Sequence, residues 1–210
     1  MVFFAIYWVD GLIMLLQNVD MEHNKSRILK TALRLFARQG FRETTTSQIA
    51  REVGVANGTL FHYFPTKTDI IDSLFLLCSL GAERYYRRDL EKCKSLKEKF
   101  LQLHRNWLEF ALDNTEQYLF INMYLTSSHL SKQEKTHLFS EYIEKIIEPG
   151  ERQKVFKNSP PELIVDITCQ LLHVVILHFL DYRHKASDPE YVERALSIIW
   201  DSVSNARTAF

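Results

Sequence analysis

Apolar residues recur along most of the chain at spacings of three and four, the interval that places side chains on one face of a helix. Ile28, Ala32, Leu35 and Phe36 form the first such stripe, over about 23–39, and Gly40 stands where a left-handed helix end is expected. Thr45 then opens a short helix carrying Ile49, Ala50 and Val53. Thr45-x-x-Gln48 has the form of a capping box, and Gly54 closes the helix. A third helix, about 56–63, holds Leu60 and Phe61; Pro65 halts the chain, and Thr66 can cap a fourth helix from Lys67. Leu96, Phe100, Leu103, Trp107 and Phe110 make a strong stripe that predicts a helix over 95–113. Further helices are expected over about 116–127 and 131–148, the second stopped by Pro149-Gly150, with 149–161 a loop or broken helix. From 162 to 184 the chain is apolar on nearly every side, which predicts a helix buried on both faces. Asp188-Pro189 starts the last helix, with Val192, Leu196, Ile199 and Val203 on one face. The pattern is that of an all-α protein.

Composition fits this reading and adds an asymmetry. Hydrophobic residues make up 46% of the 210, enough for a sizeable core, and only six glycines and five prolines interrupt them. The formal net charge is zero, which by itself argues against a nucleic-acid partner. From Met21 to Ile70, however, eight Lys/Arg face four acids, so a segment of net +4 is offset by −4 elsewhere. That is the distribution expected when one end of a protein meets phosphate. The three cysteines, Cys78, Cys93 and Cys169, are far apart and form no metal motif, so they read as free thiols in a reducing cytoplasm. The first twenty residues are apolar but broken by Asp10 and Gly11, lack a basic leader and are short for a membrane span. They read as an upstream extension or a misassigned start, with Met21 the natural first residue, and no membrane partner is expected.

Function is carried by Thr44–Asp69, TTTSQIAREVGVANGTLFHYFPTKTD. It describes two short helices around a tight turn at Gly54, with Ile49, Ala50, Val53, Val55 and Leu60 as their shared core. Small Ala50 permits a close crossing, and glycine permits the bend. In such a helix-turn-helix the N-terminal residues of the second helix reach base edges. The segment resembles the tetracycline-repressor (TetR) family of regulators through Thr45, Ile49, Ala50, Gly54, Val55, Gly58, Thr59, Leu60, Tyr63, Phe64 and Lys67, closely over about 28–75. Val53 stands for the usual Ala, Ala56 for the usual Ser/Thr cap, and Phe61 for the usual Tyr, which leaves His62 and Tyr63 as backbone contacts.

The resemblance implies a DNA-binding domain over 21–68 and a helical effector-binding and dimerisation domain over 69–210. It places Thr45, Thr46, Asn57, Gly58, Thr59, His62, Tyr63 and Lys67 at DNA, with Thr45, Tyr63 and Lys67 holding phosphates. It implies a ligand-responsive repressor, a homodimer on a near-palindromic operator, whose effector alters the spacing of two recognition helices set by one duplex turn, about 34–36 Å. The charged face Arg27, Arg34, Arg38 and Arg42 reads first as solvated and only second as phosphate-binding. Trp107, Phe110, Tyr118, Phe120 and Tyr124 are candidates to line an effector pocket for a mostly apolar ligand. Leu172, Val175, Phe179, Leu196 and Ile199 are candidates for the dimer interface. No catalytic constellation, phosphate loop or i, i+4 histidine pair is present, so neither an enzyme, a metal nor a cofactor is expected.

Overall fold

A computed structural model describes residues 21–127, 142 and 145–205. Residues 1–20 and most of the helix expected over 131–148 lie outside the described residues. The chain divides into two compact units, one up to Leu77 and one from Cys78. The boundary lies beyond the expected 68/69 because Ile70, Ile71 and Leu74 are buried and belong to the N-terminal unit.

In the N-terminal unit, α1 spans Met21–Glu43, α2 Thr46–Val53 and α3 Asn57–Tyr63. The expected break falls at Gly40, a kink with φ 82° and ψ 170°, after which the chain makes a further turn to Glu43. The edge of Phe41 returns onto Phe36 at 5.3 Å, and Thr44 Oγ1 donates to Gly40 O at 2.8 Å. The 0% exposed Thr44 thus satisfies the carbonyl that the kink frees. Thr45 accepts from Gln48 N–H at 3.1 Å as the α2 cap. Gly54 at φ 78°, ψ 35° ends that helix, its N–H donating to Arg51 O and that of Val55 to Ala50 O, a Schellman closure. Ala56 supplies no side-chain cap to α3.

The helix α4, Lys67–Tyr86, begins in one unit and ends in the other. Thr66 and Asp69 cap it reciprocally, each side chain receiving the other's backbone N–H. The C-terminal unit continues with a short 3-10 turn, Leu90–Lys92, then α5 (Leu96–Asp113), α6 (Thr115–Thr126), α7 (145–152), α8 (Pro161–Asp181) and α9 (Pro189–Val203). A complete capping box, Ser95 with Glu98, starts α5.

Two expectations need correction. Pro149-Gly150 does not stop a helix: α7 runs through it and closes at Lys154, which takes a left-handed φ of 55° while Val155 N–H donates to Gly150 O. Gly150 is there for packing, since a Cβ on it would lie 2.2 Å from the Phe156 ring. Beyond it, Phe156 pairs with Ser204 in an isolated antiparallel bridge that fastens 155–157 to the end of α9. Nor is α8 apolar all round. Ile164, Thr168, Leu172, Ile176 and Phe179 point into the subunit, Leu163, Ile167, Val174 and Leu177 are exposed, and Glu162, Asp166, Cys169 and His173 form a polar stripe between. Among the described residues α8 is the one helix long and apolar enough to cross a membrane by composition.

Candidate nucleic-acid interface and effector cavity

The N-terminal unit buries one side of each short helix and leaves the other open. Ile49, Ala50, Val53 and Leu60 are no more than 4% exposed, which fixes the crossing of α2 and α3. On α3 the outward face then carries Asn57, Gly58, Phe61 and His62, with Thr59 and Tyr63 half-buried beside it. Thr45 is exposed, and Thr46 and Lys67 are half-buried. Asn57 is steadied by a 3.4 Å bond to Ser47 Oγ. Nothing within 4 Å would meet a Cβ on Gly58, so no neighbour inside the protein requires glycine there.

The four arginines of α1 divide. Arg27 donates to Val53 O at 2.5 Å and so caps α2, while Arg34 pairs with Glu52 at 2.5 Å. Both tie α1 to α2 from the surface. Arg38 and Arg42 are exposed, and no described residue pairs with either. Phe61 is the residue that sequence reasoning undervalued: it is 44% exposed in the middle of the outward α3 face. Its spacing of four from Asn57 and three from Gly58 was the available signal.

The C-terminal unit contains a cavity of about 770 Å³ between α4, α5, α6, α7 and α8. Trp107 and Tyr118 line it; Phe110, Phe120 and Tyr124 are buried in the surrounding core instead. Trp107 stacks on Phe110 at 5.0 Å, leans on Tyr86 at 4.7 Å and meets Tyr118 edge-on at 5.7 Å. Beside this aromatic wall, the Tyr118 hydroxyl is hydrogen-bonded to His173 Nδ1 at 2.5 Å and accepts from Asn122 at 3.3 Å. The Asn122 amide also approaches both ring nitrogens of His173. Burial lowers the pKa of His173. His104 is pushed down to about 4 by burial, against a bond from its Nδ1–H to Phe100 O at 2.6 Å. Burial raises the phenols of Tyr86 and Tyr118 and takes the Cys169 thiol to about 11. Burial thus favours the neutral form of each of these groups.

Sequence reasoning missed the polar half of this cavity because it treated α8 as uniformly apolar. The i, i+4, i+7, i+11 spacing of Glu162, Asp166, Cys169 and His173 was the signal. The interface candidates are also redistributed. Leu172 lines the cavity, Phe179, Leu196 and Ile199 are buried in the subunit, and Val175 is half-buried. The apolar side chains that face outward are Leu163, Ile167, Val174 and Leu177 of α8 and Ile198 of α9.

Comparison with known proteins agrees with this division. The family model described as bacterial regulatory proteins of the tetR family matches residues 28–74, and that of a tetracyclin repressor-like C-terminal domain matches 80–205. The chain belongs to the tetR family of bacterial transcriptional regulators, with the helix-turn-helix lying in its family-matched N-terminal segment. A crystal structure of a tetR family transcription regulator from Shewanella sp. PV-4 superposes with a TM-score of 0.75 at 27% identity, covering 87% of this chain and 98% of that one. The uncharacterised regulator YhgD of Bacillus subtilis (strain 168) is 22% identical over 83% of this chain and 93% of its own length. YerO of the same strain is 35% identical over 78 residues, 37% of this chain and 25% of that protein. The chain thus spans about a quarter of the length of several curated relatives it matches.

Proposed function

We propose that this protein is a cytoplasmic, ligand-responsive repressor that binds a near-palindromic operator as a homodimer and leaves it when a small effector fills the C-terminal cavity. The observation that carries the reading is the cavity itself. Its volume of about 770 Å³ lies within the usual range for small-molecule sites, about 300–1,000 Å³, and its wall is aromatic. Tyr86, on that wall, is the last residue of the same helix that Lys67 begins. An effector pressing on Tyr86 therefore acts on the element that carries a phosphate-binding candidate. The tetracyclin repressor-like match over 80–205 supports repression as the direction of control.

A second copy is the proposed cover for the outward apolar face of α8 and α9. Val174 at 62% and Ile198 at 63% exposure are large hydrophobic side chains that a lone subunit leaves in water. An isologous pairing of these helices buries both sets at once and presents two α3 helices to two half-sites. On DNA, Asn57, Gly58, Thr59 and Phe61 face base edges, where Phe61 suits a thymine methyl, and Thr45, Tyr63 and Lys67 hold phosphates.

The test is selection of bound duplexes from a random pool, followed by footprinting. The expected result is an inverted repeat with half-site centres about one duplex turn apart, bound by a dimer, and reporter expression that rises when the gene is deleted. Selection of no common sequence, or binding of one monomer per site, would refute the proposal.

A further inference from the structure

The effector cavity has a one-sided charge distribution. Among the described residues, four carboxylates line it, those of Glu148, Glu151, Glu162 and Asp166, and no lysine or arginine does. All four residues are exposed, so they form the rim while the aromatic wall forms the interior. No described Lys or Arg makes an ion pair with any of them. Arg87 and Lys145 lie over the ring of Tyr142 rather than on the lining, and Arg87 is already paired with Glu83. The histidines that reach the cavity, His104 and His173, are both shifted by burial toward their neutral forms.

A second observation points to a ligand. Thr168 lines the cavity at 1% exposure, and its Oγ1 is buried with no hydrogen-bond partner among the described residues. Buried hydroxyls are nearly always satisfied, so this one marks a place where a bound molecule completes the bonding.

These features discriminate between ligand classes. A carboxylate or phosphate ligand would enter past four like charges and meet no cation among the described lining residues, an arrangement that penalises it. A neutral apolar ligand would use the aromatic wall and ignore the rim. A cation gains from both, since the faces of Trp107, Tyr86 and Tyr118 attract positive charge and the rim carboxylates attract it at longer range. We propose that the cavity takes a lipophilic organic cation, its apolar body against Trp107 and Tyr118 and its charge toward Glu148, Glu151, Glu162 and Asp166. This rests on the reading of the cavity as the effector site and deepens it to a chemical class.

The experiment uses two probes of the same shape and opposite charge, tetraphenylphosphonium and tetraphenylborate, titrated into the full chain with tryptophan fluorescence and thermal shift as readouts. The expected result is saturable binding of the phosphonium, with the borate weaker by at least about tenfold at physiological salt. Singly neutralised variants (E148Q, E151Q, E162Q, D166N) are expected to weaken the phosphonium by about two- to fivefold each, and the combined variant to lose the preference between probes. All five change exposed residues, and circular dichroism checks that they fold. Equal or tighter binding of the borate, no phosphonium binding up to millimolar concentration, or a preference that survives the combined variant would each overturn the proposal. All of these are read on binding alone, so they are independent of whether occupancy releases DNA. Failure of the effector reading would appear instead as phosphonium binding that leaves DNA affinity unchanged.

Discussion

Gly58 separates folding from DNA recognition with a single methyl group. It occupies the second position of the seven-residue α3, and a Cβ there would meet nothing within 4 Å. Within the subunit the glycine therefore has only a cost: glycine in a helix is less favourable than alanine by roughly 0.5–1 kcal/mol. Near the end of a short helix the lower figure applies, so Gly58→Ala is expected to stabilise the protein by about 0.5 kcal/mol. For a chain of this size that corresponds to about 1–2 °C in Tm. With Gly58 placed against the groove, as proposed, the same methyl would enter the gap through which backbone approaches DNA. A steric penalty of about 1–3 kcal/mol, the scale of overpacking in a close interface, weakens operator binding by about 5- to 150-fold. The assay pairs a thermal melt with fluorescence anisotropy on a labelled operator duplex. A variant that melts higher and still binds the operator as tightly as the wild type would refute the placement of Gly58 against DNA. A variant that melts markedly lower would refute the account of α3 packing.

Other residues test the rest of the description. Val174→Glu or Leu177→Glu on the outward face of α8 should give monomers by sedimentation and lose operator binding, whereas Leu172→Ala should lower stability by about 2 kcal/mol or more and leave a dimer. Gly150→Ala should destabilise by about 1–3 kcal/mol in denaturant, because its methyl collides with the Phe156 ring. Lys67→Ala should weaken binding to all duplexes alike and reduce the log–log salt slope by about 0.9; an unchanged slope would remove Lys67 from the phosphate contacts. His104 should make stability depend on pH in a defined window. Its folded-state pKa of about 4 lies below the ordinary imidazole value of 6.5, so the unfolded chain binds the extra proton between these values. Stability should be complete above pH 6.5 and decline toward pH 4, by up to about 3 kcal/mol, and His104→Asn should flatten that slope.

Local signals in the sequence were read well where one residue type answers one local need. Thr45 caps α2, Gly54 adopts the left-handed bend, and Leu96–Phe110 follow one helical stripe, all decided within a turn or two of chain. Readings failed where the deciding partner is distant in sequence. Pro149-Gly150 looks like a stop until Phe156 and Leu96 are seen to fill the space beside Gly150. Helix α8 has enough apolar residues for two faces, and hydrophobicity alone does not say which face meets its own subunit. Leu172 and Val174 are indistinguishable by type, yet one is buried and the other is 62% exposed. The aromatic cluster showed the same limit: Trp107 and Tyr118 reach the cavity while Phe110, Phe120 and Tyr124 support it from behind.

The coupling between cavity and operator is the central claim, and one titration tests it. Full-length protein is held on a labelled operator at a concentration just above half-saturation, and tetraphenylphosphonium is added while anisotropy and tryptophan emission are recorded together. The account predicts that the duplex is released over the same concentration range in which Trp107 emission saturates, and that Trp107→Phe removes the optical signal. Full optical saturation with the duplex still bound at its original affinity would contradict it.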